Sequence, residues 1–263
     1  LLMPFLLSLG LVPLWIGPSA AQSDRRDPES LPRATALLQS SLPWDFGPYY
    51  QAIGDRLHRK ETARITLVGS LQDSRGTGAI RIEWQLPGYG RIDDLRPGGR
   101  SIRYDGTAVT TTSGAPASAD VPLVETLISD LPENVFTQLS EGGAYRRILH
   151  WARTDPPGAQ DSGQRVDVFE VNPASDVATK AAAPLPHKLV VFDSRTRLLH
   201  SVRYLRSVGG ASVVVETRYR SWSPERNPYP AEISRHENGR EILKLTVAAF
   251  TSSPRGPVAD FRP

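Results

Sequence analysis

The chain has 263 residues, a net charge of +3 and no cysteine. The missing thiols exclude disulfides, thiolate metal sites, cysteine nucleophiles and a lipid-modified N-terminal cysteine, so stability must come from a packed core. The positive balance is not gathered into runs. Arginines alternate with acids, as at Arg81 and Glu83 or Glu216 and Arg218, which describes a solvated sheet face rather than a nucleic-acid surface.

Leu1 to Trp15 is almost wholly apolar, and Ser19 and Ala21 stand where a signal peptidase requires small residues. The run is short for a membrane span of about 20 residues and is broken by Pro4 and Pro13. Residues 1–21 read as a cleaved export signal, although no Lys or Arg precedes them, and 22–44 as a polar leader with a short helix around 32–40. From 45 to 263 the chain reads as a single domain, a length compatible with one large β unit of roughly 200–250 residues. Asp45 caps a helix in which Tyr49, Tyr50, Ile53 and Leu57 recur at three-to-four spacing, ending near Lys60.

Strands follow. Ala63, Ile65, Leu67 and Leu71 share one face, Asp73 to Gly76 turns, and Gly78, Ile80, Ile82, Trp84 and Leu86 share the dry face of the return strand. Tyr89–Leu95, Ser101–Tyr104 and Thr107–Thr112 are three further strands, the last pair joined at Asp105-Gly106, a hairpin dipeptide. The period then changes. Val124, Leu127, Ile128 and Leu131 recur at helical spacing, as do Val135, Phe136 and Leu139. Pro132 divides them into two helices, about 121–129 and 131–140, with Asp130 and Glu133 as a capping box for the second.

Strands resume at Tyr145–Thr154 and Gln164–Val171, separated and followed by loops at 155–163 and 173–186. The C-terminal stretch reads as three long strands. Lys188–Asp193 runs through Ser194–Arg197 into Leu198–Tyr204. In Ala211–Tyr219, Ala211, Val213, Val215 and Tyr219 oppose Glu216 and Arg218. In Glu241–Phe250, Leu243, Leu245, Val247 and Ala249 oppose Lys244 and Thr246. Ser223–Pro230 is a proline-rich crossing. A one-faced antiparallel sheet must cover its apolar side, and the cover is side chains, helices or a guest molecule.

Catalytic patterns are lacking. The five histidines are scattered, with no helical i, i+4 pair; there is no G-x-S-x-G elbow and no Walker loop. Asp93 and Asp94 are adjacent on a strand and point to opposite faces. The residues give no catalytic set, no metal site and no cofactor.

At Pro87-Gly-Tyr-Gly-Arg91 the chain begins to resemble the periplasmic carriers of the outer-membrane lipoprotein sorting system, the LolA-like superfamily. In that family a strand ends in Pro-Gly, followed two residues later by Phe-Arg-Trp, and an Asp-Gly turn comes after a further short strand. Here the matching positions are Pro87, Gly88, Arg91 and Asp105-Gly106, with Gly90 and Ile92 in place of the aromatics. Phe192-Asp193, Leu198-Leu199 and Tyr229-Pro230 resemble looser members, and the similarity is spread from about Pro48 to Pro263. The resemblance implies a mainly β (α+β) fold: an unclosed antiparallel half-barrel with an N-terminal helix and a two-helix lid over an apolar cavity. It further implies that acyl chains of a lipid or lipoprotein occupy the cavity and that Arg91 latches the lid.

The ligand-facing residues expected on this basis are Ile80, Ile82, Trp84, Val213 and Val215 on the sheet, Leu127, Ile128, Leu131, Val135, Phe136 and Leu139 on the lid, and Arg91 as latch. The expected function is that of an exported, non-enzymatic, periplasmic carrier without cofactor or nucleic-acid partner. The alternative is a periplasmic sensing or protein-interaction module on the same scaffold, its partner an envelope protein.

Overall fold

The computed structural model describes residues 47–53, 64–85, 89–105, 109–112, 120–139, 145–154, 165–173, 186–224 and 228–261. The expected export signal, the expected leader and 155–163 lie outside the described residues, as does nearly all of 173–186. The described part of the first helix is Gly47–Ala52 (α1), with Tyr49, Tyr50 and Ile53 buried as their spacing requires.

Twelve strands form one antiparallel sheet: Arg64–Asp73 (β1), Gly76–Gln85 (β2), Tyr89–Asp94 (β3), Ser101–Tyr104 (β4), Val109–Thr111 (β5), Tyr145–Thr154 (β6), Arg165–Pro173 (β7), Lys188–Asp193 (β8), Leu199–Val208 (β9), Ala211–Trp222 (β10), Pro230–Glu237 (β11) and Arg240–Ser253 (β12). Their spatial order is β5-β4-β3-β2-β1-β12-β11-β10-β9-β8-β7-β6. Each half is a meander of neighbours in sequence, and β1 pairs with β12 to join them. The sheet is not closed: β5 and β6 are its two edges.

Register follows the alternation. Leu67, Ile82, Ile92 and Ile102 form one row across β1 to β4, and all are buried. Tyr219, Ile233 and Leu245 form another across β10 to β12. These rows belong to one continuous apolar cluster that also takes in the segment between β5 and β6. That segment comprises Val121–Val124 (α2), the turn Glu125–Ser129, and Pro132–Leu139 (α3).

Three strand expectations need correction. The stretch 188–204 is a hairpin, not one run. Asp193 Oδ1 accepts from the backbone N–H groups of Arg195 at 2.9 Å and Thr196 at 2.6 Å, and Arg197 turns back with φ 62°. A short acid that captures nearby amides makes a turn where apolar residues on both sides suggest continuity. The strand β11 was missed because it carries few apolar residues; one of its inward positions is Arg235. Ala249 does not share the face of Leu243 and Leu245. The register steps from Val68–Ala249 to Gly69–Val247, so Ala248 is a bulge residue, and beyond it Phe250 pairs with Leu67 on the inner face. Gly69 permits the bulge: a Cβ there would lie 2.1 Å from the carbonyl oxygen of Thr246.

Candidate functional site

The site is the inner face of the sheet together with the jointed helical segment over it. Leu123, Leu127, Ile128, Leu131, Val135, Phe136 and Leu139 point down from that segment and are buried against the sheet. The joint has a definite geometry. The N–H of Asp130 donates to the carbonyl of Glu125 at 2.8 Å, a step of five residues rather than four. Such a π-type turn rotates the residues after it relative to a regular helix. The bend is then tied together: Asn134 Nδ2 donates to the Ile128 carbonyl at 3.1 Å and Gln138 Nε2 to the Ser129 carbonyl at 3.0 Å. These bonds satisfy carbonyls that the end of a helix leaves without partners. The two short helices are thereby one stiff unit.

The unit is fastened to both halves of the sheet. On the N-terminal half, Ile128 fills the space over Gly90 of β3, where a Cβ would come within 2.6 Å of its side chain, and the buried Asp120 at the head of α2 accepts from Arg100 Nη2 beside β4. On the C-terminal half the fastening is polar. Asp130 is fully buried. Its Oδ1 accepts from Lys188 Nζ of β8 at 3.1 Å, and its Oδ2 from Thr217 Oγ1 of β10 at 2.9 Å, with Tyr204 OH of β9 at 3.3 Å. Its backbone carbonyl accepts from Tyr219 OH of β10. Burial, and then the adjacent Asp130, push the Tyr204 and Tyr219 phenols well above their ordinary range, so both remain neutral donors. Glu125 Oε2 accepts from Arg235 Nη2 at 2.6 Å and Arg206 Nη1 at 3.1 Å. Helix α1 props the far end, where Tyr50 OH donates to the Phe136 carbonyl at 3.1 Å and its ring packs on Phe136.

Of the residues expected at the site, Ile80, Ile82, Trp84, Val215, Leu127, Ile128, Leu131, Val135, Phe136 and Leu139 are brought together in the buried cluster, and Val213 packs against it half-buried. Arg91 is not with them. It alternates with the buried Gly90 and Ile92, faces outward, and its Nε donates to Asp93 at 2.9 Å. Polar contacts of the lid include Asp120 with Arg100, and Asp130 and Glu125 with Lys188, Tyr204, Thr217, Tyr219, Arg206 and Arg235, which sequence reasoning missed. Asp130 was read only as a helix cap, yet its carboxylate reaches the sheet. A signal was present: Lys188 shares strand parity with Val190 and Phe192, and Arg235 with Ile233, so each is a charge on a dry face that requires a buried partner.

An open antiparallel sheet roofed by a bent helical pair defines the class of protein, and comparison with solved structures agrees. The chain is similar to a LolA superfamily protein of Nitrosomonas europaea, with TM-score 0.50 and 13% identity over 81% of this chain and 97% of that one. It is also similar to a DUF1329 family protein of Desulfovibrio piger, with TM-score 0.48 and 10% identity over 82% and 96% of the two chains. A Vibrio parahaemolyticus domain described as an outer membrane lipoprotein-sorting protein gives 0.46 and 11% over 82% and 97%. The fold is LolA-like; at such identities the likeness speaks for the fold alone. No protein-family model and no curated protein matches the chain.

Proposed function

We propose that this chain is an exported, non-enzymatic carrier that binds the acyl chains of a lipid or lipoprotein between the inner face of its sheet and its lid, in a periplasmic setting. The observation that carries the reading is the character of the roof. It is a short jointed unit, tied together within itself, whose apolar underside rests on the sheet and which is held there by side chains, Ile128 over Gly90 and Asp120 to Arg100 on one half and Asp130 and Glu125 on the other, rather than by strand pairing. Removing such a roof uncovers a preformed apolar surface without breaking any strand pairing. In the form described here the lid's own side chains occupy that surface, so a guest must displace them.

The energies allow this exchange. Exposing Leu127, Ile128, Leu131, Val135, Phe136 and Leu139 costs roughly 12 kcal/mol, at about 2 kcal/mol for each large apolar side chain and apart from the polar anchors. Acyl chains restore about 0.8 kcal/mol per buried methylene, so about fifteen methylenes offset that apolar share. A two-chain lipid has enough; a single short chain does not.

The test is purification from a bacterial periplasm under detergent-free conditions, followed by mass spectrometry of organic extracts. The expected result is lipid or acylated peptide in stoichiometric amount. A preparation free of acyl chains that still captures one membrane protein after delipidation would favour the interaction-module reading and defeat the carrier one.

A further inference from the structure

The bonds between the lid and the C-terminal half of the sheet are one-sided. In each, the donor is on the sheet and the acceptor on the lid: Lys188 Nζ, Thr217 Oγ1 and the Tyr204 hydroxyl at the Asp130 carboxylate, Tyr219 OH to the Asp130 carbonyl, and Arg206 and Arg235 to Glu125 Oε2. The donors stand on four adjacent strands, β8 to β11, in paired positions. Lys188 is opposite Tyr204, and Thr217 is opposite Arg235. Their places are therefore set by backbone pairing and not by the lid.

The set is compact. The Tyr204 hydroxyl accepts from Arg235 Nη1 at 3.3 Å and lies 3.3 Å from Asp130 Oδ2 and 3.5 Å from Glu125 Oε2, so the two lid carboxylates meet at one phenol. Among the charged groups in these bonds the charges balance. On the sheet, the cations Lys188, Arg206 and Arg235 stand against one ion-paired carboxylate, Glu237, which leaves two positive charges; Asp130 and Glu125 neutralise both. Lysine and arginine on the dry face of a sheet are costly without acceptors, because a buried charge stripped of its partner has neither water nor a counter-charge. Lifting the lid strips Lys188 of its carboxylate and leaves Arg206 and Arg235 to share Glu237 alone, unless something anionic replaces the lid carboxylates.

We propose that this donor set is the receptor for the anionic head of the guest, and that Asp130 and Glu125 occupy it in the closed form as internal substitutes for that head. The inference rests on the carrier reading and narrows its guest to an anionic two-chain lipid. Acyl chains displace the lid leucines while a phosphate or carboxylate displaces the lid carboxylates. The two exchanges are coupled, because the lid moves as one unit.

The experiment titrates the full chain, by tryptophan fluorescence, with didecanoyl phosphatidylglycerol and didecanoyl phosphatidylcholine below their micellar concentrations, and with inorganic phosphate alone. The expected result is at least ten-fold tighter binding of the anionic lipid, with phosphate alone much weaker than either. Lys188→Gln should bring the two lipids to within about two-fold. Asp130→Asn, which weakens the internal substitute and keeps the side-chain shape, should raise affinity for the anionic lipid several-fold. A lid merely loosened by the change would gain for both lipids alike, so a gain confined to the anionic lipid marks the substitute role, and it stands even if Lys188→Gln fails to fold. Equal binding of the two lipids by the unaltered chain overturns the inference and leaves the carrier reading intact. Binding of neither lipid overturns both. Phosphate binding as tight as the anionic lipid overturns the lipid as source of the anion.

Discussion

Ile128 of the lid stands over Gly90 of β3, so closely that a Cβ on residue 90 would lie 2.6 Å from Ile128 Cδ1 and 2.9 Å from both of its Cγ atoms. The glycine is a seat, and the isoleucine is what fills it. The chain has no cysteine of its own, so the pair can be locked cleanly. Gly90→Cys with Ile128→Cys brings two Cβ atoms near the spacing a disulfide requires, and the second change clears the room the first one needs. Oxidised protein should lose at least ten-fold in lipid loading, and reductant should restore it, as read by mass spectrometry of bound lipid. Full loading with the bridge closed would mean that the guest enters by another route.

Removing the Asp130 carboxylate should be expensive. Asp130→Ala leaves Lys188, itself buried, without its charged partner and takes an acceptor from Thr217. The expected loss is about 3–5 kcal/mol in urea unfolding. Asp130→Leu combined with Lys188→Met should recover most of it, since a buried pair replaced whole by apolar groups costs little.

Arg91 supplies the contrast. It lies on the outer face, about one-third exposed, with Asp93 as its partner. Exposed pairs contribute about 0–1 kcal/mol. Arg91→Ala should change unfolding stability by less than about 1 kcal/mol and leave hydrogen exchange of residues 121–139 unaltered. Faster exchange there would return Arg91 to the latch role.

Acid should loosen the β1–β2 end. Asp73 receives Arg96 Nη1 at 2.8 Å and Arg75 Nη2 at 2.8 Å, and Asp94 receives Arg96 Nη2 at 2.8 Å. Burial by itself raises the Asp73 pKa, but hydrogen bonds from Arg96 and then Arg75 outweigh it and bring it down from 3.8 to about 2. A carboxyl depressed on folding contributes stability that is complete above its unfolded value and lost as pH falls through the folded one. The loss should therefore fall between about pH 4 and pH 2, visible in the slope of stability against pH. Asp73→Asn should flatten that slope and lower stability at neutral pH; an unchanged slope would remove Asp73 as its source.

Much of this arrangement could be read from alternation alone. The parity of Ile80, Ile82 and Trp84 names the inner face, because a strand has only two sides and water claims one. The switch to helical spacing at Val124–Leu139 names the roof. What alternation could not give is contact between distant strands. Gly90 looked like a lost aromatic and is the seat of Ile128. Ala249 shares the parity of Leu243, but an extra residue opposite Gly69 changes its side.

The sequence by itself determined which residues are dry, where the chain turns from strands to helices, and that a lid was needed, because those are local consequences of side-chain period and of the demand that apolar faces be covered. Only the tertiary structure decided what holds the lid. Asp130 meets Lys188 across 58 positions and Tyr219 across 89. The sign of a charge is written at its own position, whereas the identity of the charge that neutralises it depends on which strands pairing has set side by side.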